Sequence, residues 1–412
     1  MRLEDILYLI ASNWALYIAS IIICTIVAWW FFCKKVKNLL DPFFFRVVGA
    51  VFANAIPVFL FLCNEIKTEY FVTFLLIEVS YWFGFSRNKS VSKLRTANPD
   101  SNKDAYKLFI ASMFVIILFR FYFYLNYGIP LLMENRADKY VDASGLGGLD
   151  RLTYIMEMFC GIYSFAHLRS RNKRKRFSSI AYLLSFILFS IFEGSRSALL
   201  VVLVPLFFYL YYVNKIEISL KSVVLVFVLV LSCSLVVIII QGGERETALF
   251  SLLHRFMMFG DVYYESYGYD AIKSVKINYP IRDLLVNFLA PFRLMDYSAG
   301  TDVPASMQVH RFVYPELGDI NGGPNNRIPF LYDCMFGRWV GCIMAFGTGV
   351  LSSKLMYRTA HKCNNSYIGV AIYASLYTIG AQFCTDPIMA ISYLPSFIFG
   401  YVFLCFMRML TK

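Results

Sequence analysis

The feature that most constrains this chain is a series of roughly eleven runs of about twenty apolar residues, each long enough as helix to cross a hydrocarbon layer of ~30 Å. In lipid the backbone must satisfy its own hydrogen bonds, so such runs are forced into helices. The alternating ten-residue pattern of a membrane β-barrel is absent. The expected spans are about 10–33, 43–63, 70–86, 106–126, 150–168, 178–194, 197–213, 221–241, 331–352, 366–384 and 388–407. The predicted fold class is therefore an all-α polytopic membrane protein. Residues 1–241 would hold the first eight spans, 242–330 a large external loop, and 331–412 the last three.

Charge supports this division. The net charge of +12 resembles a nucleic-acid binder's, but the basic residues alternate between loops. Lys34, Lys35 and Lys37, then Arg87 to Lys103, Arg169 to Arg176, Lys354 to Lys362, and Arg408 fall on one side. The short loops opposite carry only Arg2, Lys67, Arg136, Lys139 and Arg196. By the positive-inside bias the basic side is cytoplasmic, the amino terminus is outside, and no nucleic-acid partner is implied. The run Arg169–Arg176 reads as a topology anchor beside anionic lipid. The ten cysteines form no C-x-x-C pair, and none lies between Gly242 and Phe330, so structural disulfides and zinc sites are not expected. No cleavable leader is evident.

The external stretch from Gly242 to Phe330 is long enough to be functional. Leu249–Tyr264 reads as an amphipathic helix. Ile281–Met295 carries a second apolar stripe, broken at Pro291 and too short to span, so it would lie along or re-enter the outer leaflet. The segment ends in a cluster of turn formers, Asn321-Gly-Gly-Pro-Asn-Asn.

Chemistry-bearing residues collect on this outer face. There is no nucleotide-binding G-x-x-x-x-G-K-[ST] loop, no D-x-D pair, and no His/Cys cluster with ligand spacing, so no cofactor or metal is expected. The sharpest local feature is Phe192-Glu-Gly-Ser-Arg-Ser-Ala-Leu-Leu200 between two apolar runs. Arg196 there is either a snorkelling residue in a helix hairpin or a bidentate clamp for phosphate. Arg255, Arg311 and Arg327 in the loop, with Arg120 and Arg338 near the outer ends of spans, are further candidates to converge on a diphosphate. Tyr263, Tyr264, Tyr267 and Tyr269 offer aromatic faces with polar tips, suited either to sugar rings or to interfacial anchoring. Asp261, Glu265, Asp296, Asp302, His310, Glu316 and Asp319 are acid and base candidates. His310 is preferred because an imidazole accepts a proton near neutral pH.

The outward Gly-Ser-Arg-Ser, the long outer loop and the closing Gly-Gly-Pro-Asn-Asn-Arg-Ile-Pro-Phe-Leu-Tyr-Asp-Cys-Met-Phe-Gly-Arg-Trp-Val-Gly341 resemble bacterial oligosaccharide repeat-unit polymerases of the Wzy type. Arg196-Ser-Ala-Leu-Leu200 also fits the R-x-x-x-L pattern of O-antigen ligases, and Arg311 to Gly322 fits an R-x10-G pattern. The resemblance implies transfer of a growing glycan from undecaprenyl diphosphate to a hydroxyl of a new lipid-linked repeat unit. Lipid-linked oligosaccharides, membrane lipids and a chain-length regulator would then be the partners. The location would be the bacterial inner membrane, with the site facing the periplasm. In that reading Arg196, Arg255, Arg311, Arg327, Arg120 and Arg338, with Tyr264 and Tyr267, bind substrate, and His310 and Glu265 are catalytic. A ligase-like glycosyltransferase and a flippase for the same lipid remain as alternatives.

Overall fold

The computed structural model describes residues 1–88, 103–133, 147–193, 198–213, 258–296, 303–317, 323–359 and 366–411. Among these, regular structure is helical throughout. After the short α1 (Leu3–Ser12) come α2 (Trp14–Phe32), α3 (Pro42–Leu62), α4 (Thr68–Ser86), α5 (Lys103–Tyr127), α6 (Gly147–His167), α7 (Lys173–Phe192) and α8 (Ala198–Phe208). The loop contributes α9 (Asp261–Tyr267), α10 (Pro280–Leu289) and α11 (Ala305–Val313); α12 (Ile328–Ser353), α13 (Tyr367–Gln382) and α14 (Pro387–Leu410) complete the chain.

Six of the described helices are long and apolar enough to cross a membrane: those spanning Trp14–Phe32, Pro42–Leu62, Asp104–Leu132, Lys173–Phe192, Ile328–Arg358 and Pro387–Leu410. The expected spans at 70–86, 150–168, 197–213 and 366–384 are also helical, but they are shorter or less apolar. The expected span at 221–241 lies outside the described residues. Large apolar side chains stand on the outer surface, among them Ile26, Trp29 and Trp30 of α2, Leu118 and Leu125 of α5, and Val402 of α14. A surface with so many exposed apolar groups is suited to lipid rather than water.

Helix starts follow local chemistry. Asp41 accepts a hydrogen bond from the Phe43 amide ahead of Pro42, and Asn172 caps α7 through the amides of Arg174 and Lys175. Asp386 caps α14 through the Met389 amide and also accepts from the Asn326 amide (3.1 Å), which ties the entry of α12 to that of α14. Helices α4 and α12 lie in close contact because small residues meet backbone. A Cβ added at Gly84 would collide with the Phe346 carbonyl oxygen, and one at Gly349 with that of Tyr81. Helix α12 is not continuous: Gly337, at φ 68° and ψ 176°, separates a limb 328–336 from a limb 338–353.

The expected stripe at Ile281–Met295 is α10, ended by a 3-10 turn Ala290–Phe292 at Pro291. It lies against α14, where Phe292 stacks on Phe399 (4.9 Å). Only the end of the expected helix Leu249–Tyr264 is described. There Met258–Gly260 is a 3-10 turn, and α9 starts at Asp261 and continues past Tyr264 to Tyr267. This part of the loop is threaded into the bundle. The Phe259 ring packs on Gly49, and Gly260 sits so close to Ala53 and Ile56 that no Cβ would fit. Tyr263 packs edge-on to Phe74, and Tyr267 stacks on Tyr70. Helix α9 thus starts beside the middle of α3 and ends beside the first turn of α4.

Candidate functional site

Helix α9 is buried on every side, and its geometry sorts its side chains. Asp261 and Glu265, four residues apart, share one face, while Tyr263 and Tyr267 occupy the opposite one. The carboxylate face meets α11, whose buried residues Ser306, Val309 and Val313 dock it on the bundle. That docking brings His310 to Glu265: Nδ1 lies 3.2 Å from Oε1 and 3.1 Å from Oε2. Glu265 is 2% exposed, and His310 remains partly open. Two residues 45 positions apart in sequence form one acid–imidazole pair.

The electrostatics of the pair are coupled to Asp261. The hydrogen bond that His310 donates to Glu265 raises the imidazole pKa, outweighing the opposing effect of burial, and the charges of Glu265 and Asp261 add to it. Burial, then the charge of Glu265, pushes Asp261 up to about 7. With Glu265 accepting from Nδ1–H, the imidazole is held in the tautomer that leaves Nε2 as a base, and Nε2 has no hydrogen-bond partner among the described residues.

A cationic group lies just before the amino-terminal end of α9. Arg327, at the entry of α12, is 3% exposed. Its Nε and Nη2 both donate to the Phe259 carbonyl oxygen, at 3.0 and 2.7 Å. Its Nη1 is buried with no partner among the described residues. The Arg327 charge acts on Asp261 and on Asp386, whose carboxyl is itself raised by burial. A second guanidinium, Arg46 of α3, lies within electrostatic reach of Arg327, Tyr154, Cys384 and Tyr393. It makes no hydrogen bond or ion pair among the described residues. The side chain is half-buried.

Arg46 was not among the residues singled out from the sequence. It follows the basic cluster Lys34–Lys37 by a few residues, so it reads as one more cytoplasmic anchor. The only local signal is an arginine one turn inside an apolar helix that has no acid of its own.

The other candidates are placed differently. Arg120 is held between Glu157 (3.0 Å) and Glu193 (2.7 Å), which makes it a bridge between α5, α6 and α7. Arg338 donates to Thr73 Oγ1 (2.7 Å) and to Glu69, on the α4 side of the molecule. Arg311 follows His310 on α11 and is half-buried. Tyr264 and Tyr267 are 2% and 1% exposed, so neither presents a face to a sugar ring; of that tyrosine group only Tyr269 is exposed. The packing of α9 against α3, α4 and α11 buries them. Arg196 and Arg255 lie outside the described residues.

Arg327 is fixed through Phe259 near the middle of α3, Arg46 stands in the first turns of that helix, and the acid–base pair lies about 9 Å along α9 from Phe259, taking six residues at helical rise. Among the described residues no group of His, Cys, Asp and Glu is arranged to hold a metal ion. The set can accept a proton at His310 and compensate negative charge at Arg327 and Arg46. No family model, curated protein or solved structure matches this chain.

Proposed function

We propose that this protein extends a glycan carried on a lipid diphosphate, transferring it to a hydroxyl of a second lipid-linked oligosaccharide. The observation that carries this reading is the buried Glu265–His310 pair set beside a buried arginine, Arg327, whose Nη1 has no partner among the described residues. In the reaction the acceptor oxygen forms a bond to the anomeric carbon, and the bond from that carbon to the diphosphate oxygen breaks. The acceptor proton goes to His310 Nε2, and the electron pair leaves with the diphosphate. Glu265 orients the imidazole and stabilises its charged form, as a carboxylate does for a general-base histidine elsewhere. Arg327 and Arg46 offset the charge that grows on the leaving diphosphate, in a site where few water molecules compete. The order along α9 suits such a substrate, with the diphosphate deep beside the arginines and the sugar outward at His310.

The test uses the purified full chain in nanodiscs with lipid-linked repeat units alone. The expected product is a ladder of lengthened glycans. His310→Ala should reduce the rate by about 10²–10⁴-fold, the usual range for loss of a general base. A ladder unchanged by His310→Ala would refute the assignment. Movement of the lipid across the bilayer without lengthening would favour a flippase, and transfer only to a different acceptor would favour a ligase.

A further inference from the structure

A concave site lies on the side of α9 opposite the Glu265–His310 pair. Where the first turns of α4 meet the break in α12, a cleft of about 270 Å³ is lined by Glu69, Tyr70, Thr73, Asp333, Arg338 and Trp339. The break creates it. Along an uninterrupted helix, Asp333 and Trp339 would point to different sides, because six residues turn the helix through about 600° and leave the two side chains about 120° apart. The left-handed φ of Gly337 redirects the second limb, and both residues come to line one cleft.

We infer that this cleft is a carbohydrate subsite that holds a neutral stretch of glycan. Its chemistry favours that ligand class over others. The Trp339 ring is 72% exposed and offers a broad apolar face for the C–H face of a pyranose. Asp333 is half-buried, and its carboxylate has no hydrogen-bond partner among the described residues, so it can accept from sugar hydroxyls. Arg338 forms a fixed wall, held by Thr73 Oγ1 and by the carbonyl and carboxylate of Glu69. The cleft holds two carboxylates against one guanidinium, a balance that disfavours phosphate or an anionic headgroup. The Tyr70 ring at its edge stacks on Tyr267, so the cleft adjoins the helix that carries Glu265.

The consequence for extension rests on the polymerase reading. A glycan held here between additions stays with the protein, so loss of the subsite shortens products without slowing the first addition. The binding itself does not depend on that reading.

The probe is the free repeat-unit oligosaccharide, released by mild acid from the producing cell's own lipid carrier. Its affinity is measured by equilibrium dialysis against the full chain in nanodiscs, with the wild type, Trp339→Leu and Asp333→Asn. Leucine preserves an apolar anchor at a membrane boundary, and asparagine preserves shape. Each variant should bind about tenfold more weakly, as expected for loss of one aromatic or charged contact. In the extension assay each should give shorter products at an unchanged first-addition rate. Wild-type affinity in both variants overturns the subsite and leaves the polymerase reading standing; such a result would make Trp339 an interfacial anchor. Binding that depends on Trp339 and Asp333, in a wild-type protein that extends nothing, supports the subsite and refutes the polymerase.

Discussion

At the residue scale, two groups beside Glu265 titrate, His310 and Asp261. His310 must be neutral to accept a proton, and its bond to Glu265 raises its pKa. The acidic limb of the rate should therefore lie above the ordinary imidazole value of 6.5. In Glu265→Gln that limb should move to lower pH while the plateau falls; a pH–rate profile with an unmoved limb would contradict the pairing. Stability carries the same sign. Protonated His310 is held by Glu265, so its contribution is complete below 6.5 and is lost as pH rises through the raised value. Asp261 is raised from 3.8 to about 7, so its contribution fades between those values. Thermal melting in nanodiscs should fall from pH 5 to pH 8, and Asp261→Asn should flatten the lower part of that fall. Sequence alone identified Glu265 and His310 as acid–base candidates, because residue type suffices for that. It could not pair them, since their contact depends on how α9 and α11 dock.

At the element scale, charge within the bundle sorts into bonded and unbonded sets. Arg120 joins α5, α6 and α7 through Glu157 and Glu193, with all three side chains largely buried. Removing it leaves two carboxylates without that partner. Arg120→Ala should cost about 3–5 kcal/mol of stability, the range for breaking a buried pair, and should lower the melting temperature before it affects chemistry. A variant that melts like wild type but extends nothing would instead return Arg120 to the substrate site. Helix at the described apolar runs was legible because such runs must become helices in lipid, and six of those helices are long and apolar enough to cross a membrane. The break at Gly337 was not, since one glycine in an apolar run has no visible φ. Nor was the burial of Tyr264 and Tyr267: their segment falls in a loop by topology, and only its packing on Gly49, Phe74 and Tyr70 takes it inside.

For the whole molecule, the described part of the loop from Phe259 to Tyr267 is packed within the bundle. Its inward turn at Phe259 is where Arg327 is fixed, and the α12 and α14 entries are tied there through Asn326 and Asp386. The central claim is that this interior holds a lipid-borne diphosphate on Arg46 and Arg327. The most direct test is the affinity of the full chain in nanodiscs for undecaprenyl diphosphate and undecaprenyl phosphate, in the wild type and in Arg46→Gln/Arg327→Gln. The account predicts saturable binding that prefers the diphosphate, and loss of that preference in the double variant while the protein stays folded and inserted. Equal binding of both lipids by the wild type, or an undiminished preference in the double variant, would contradict it.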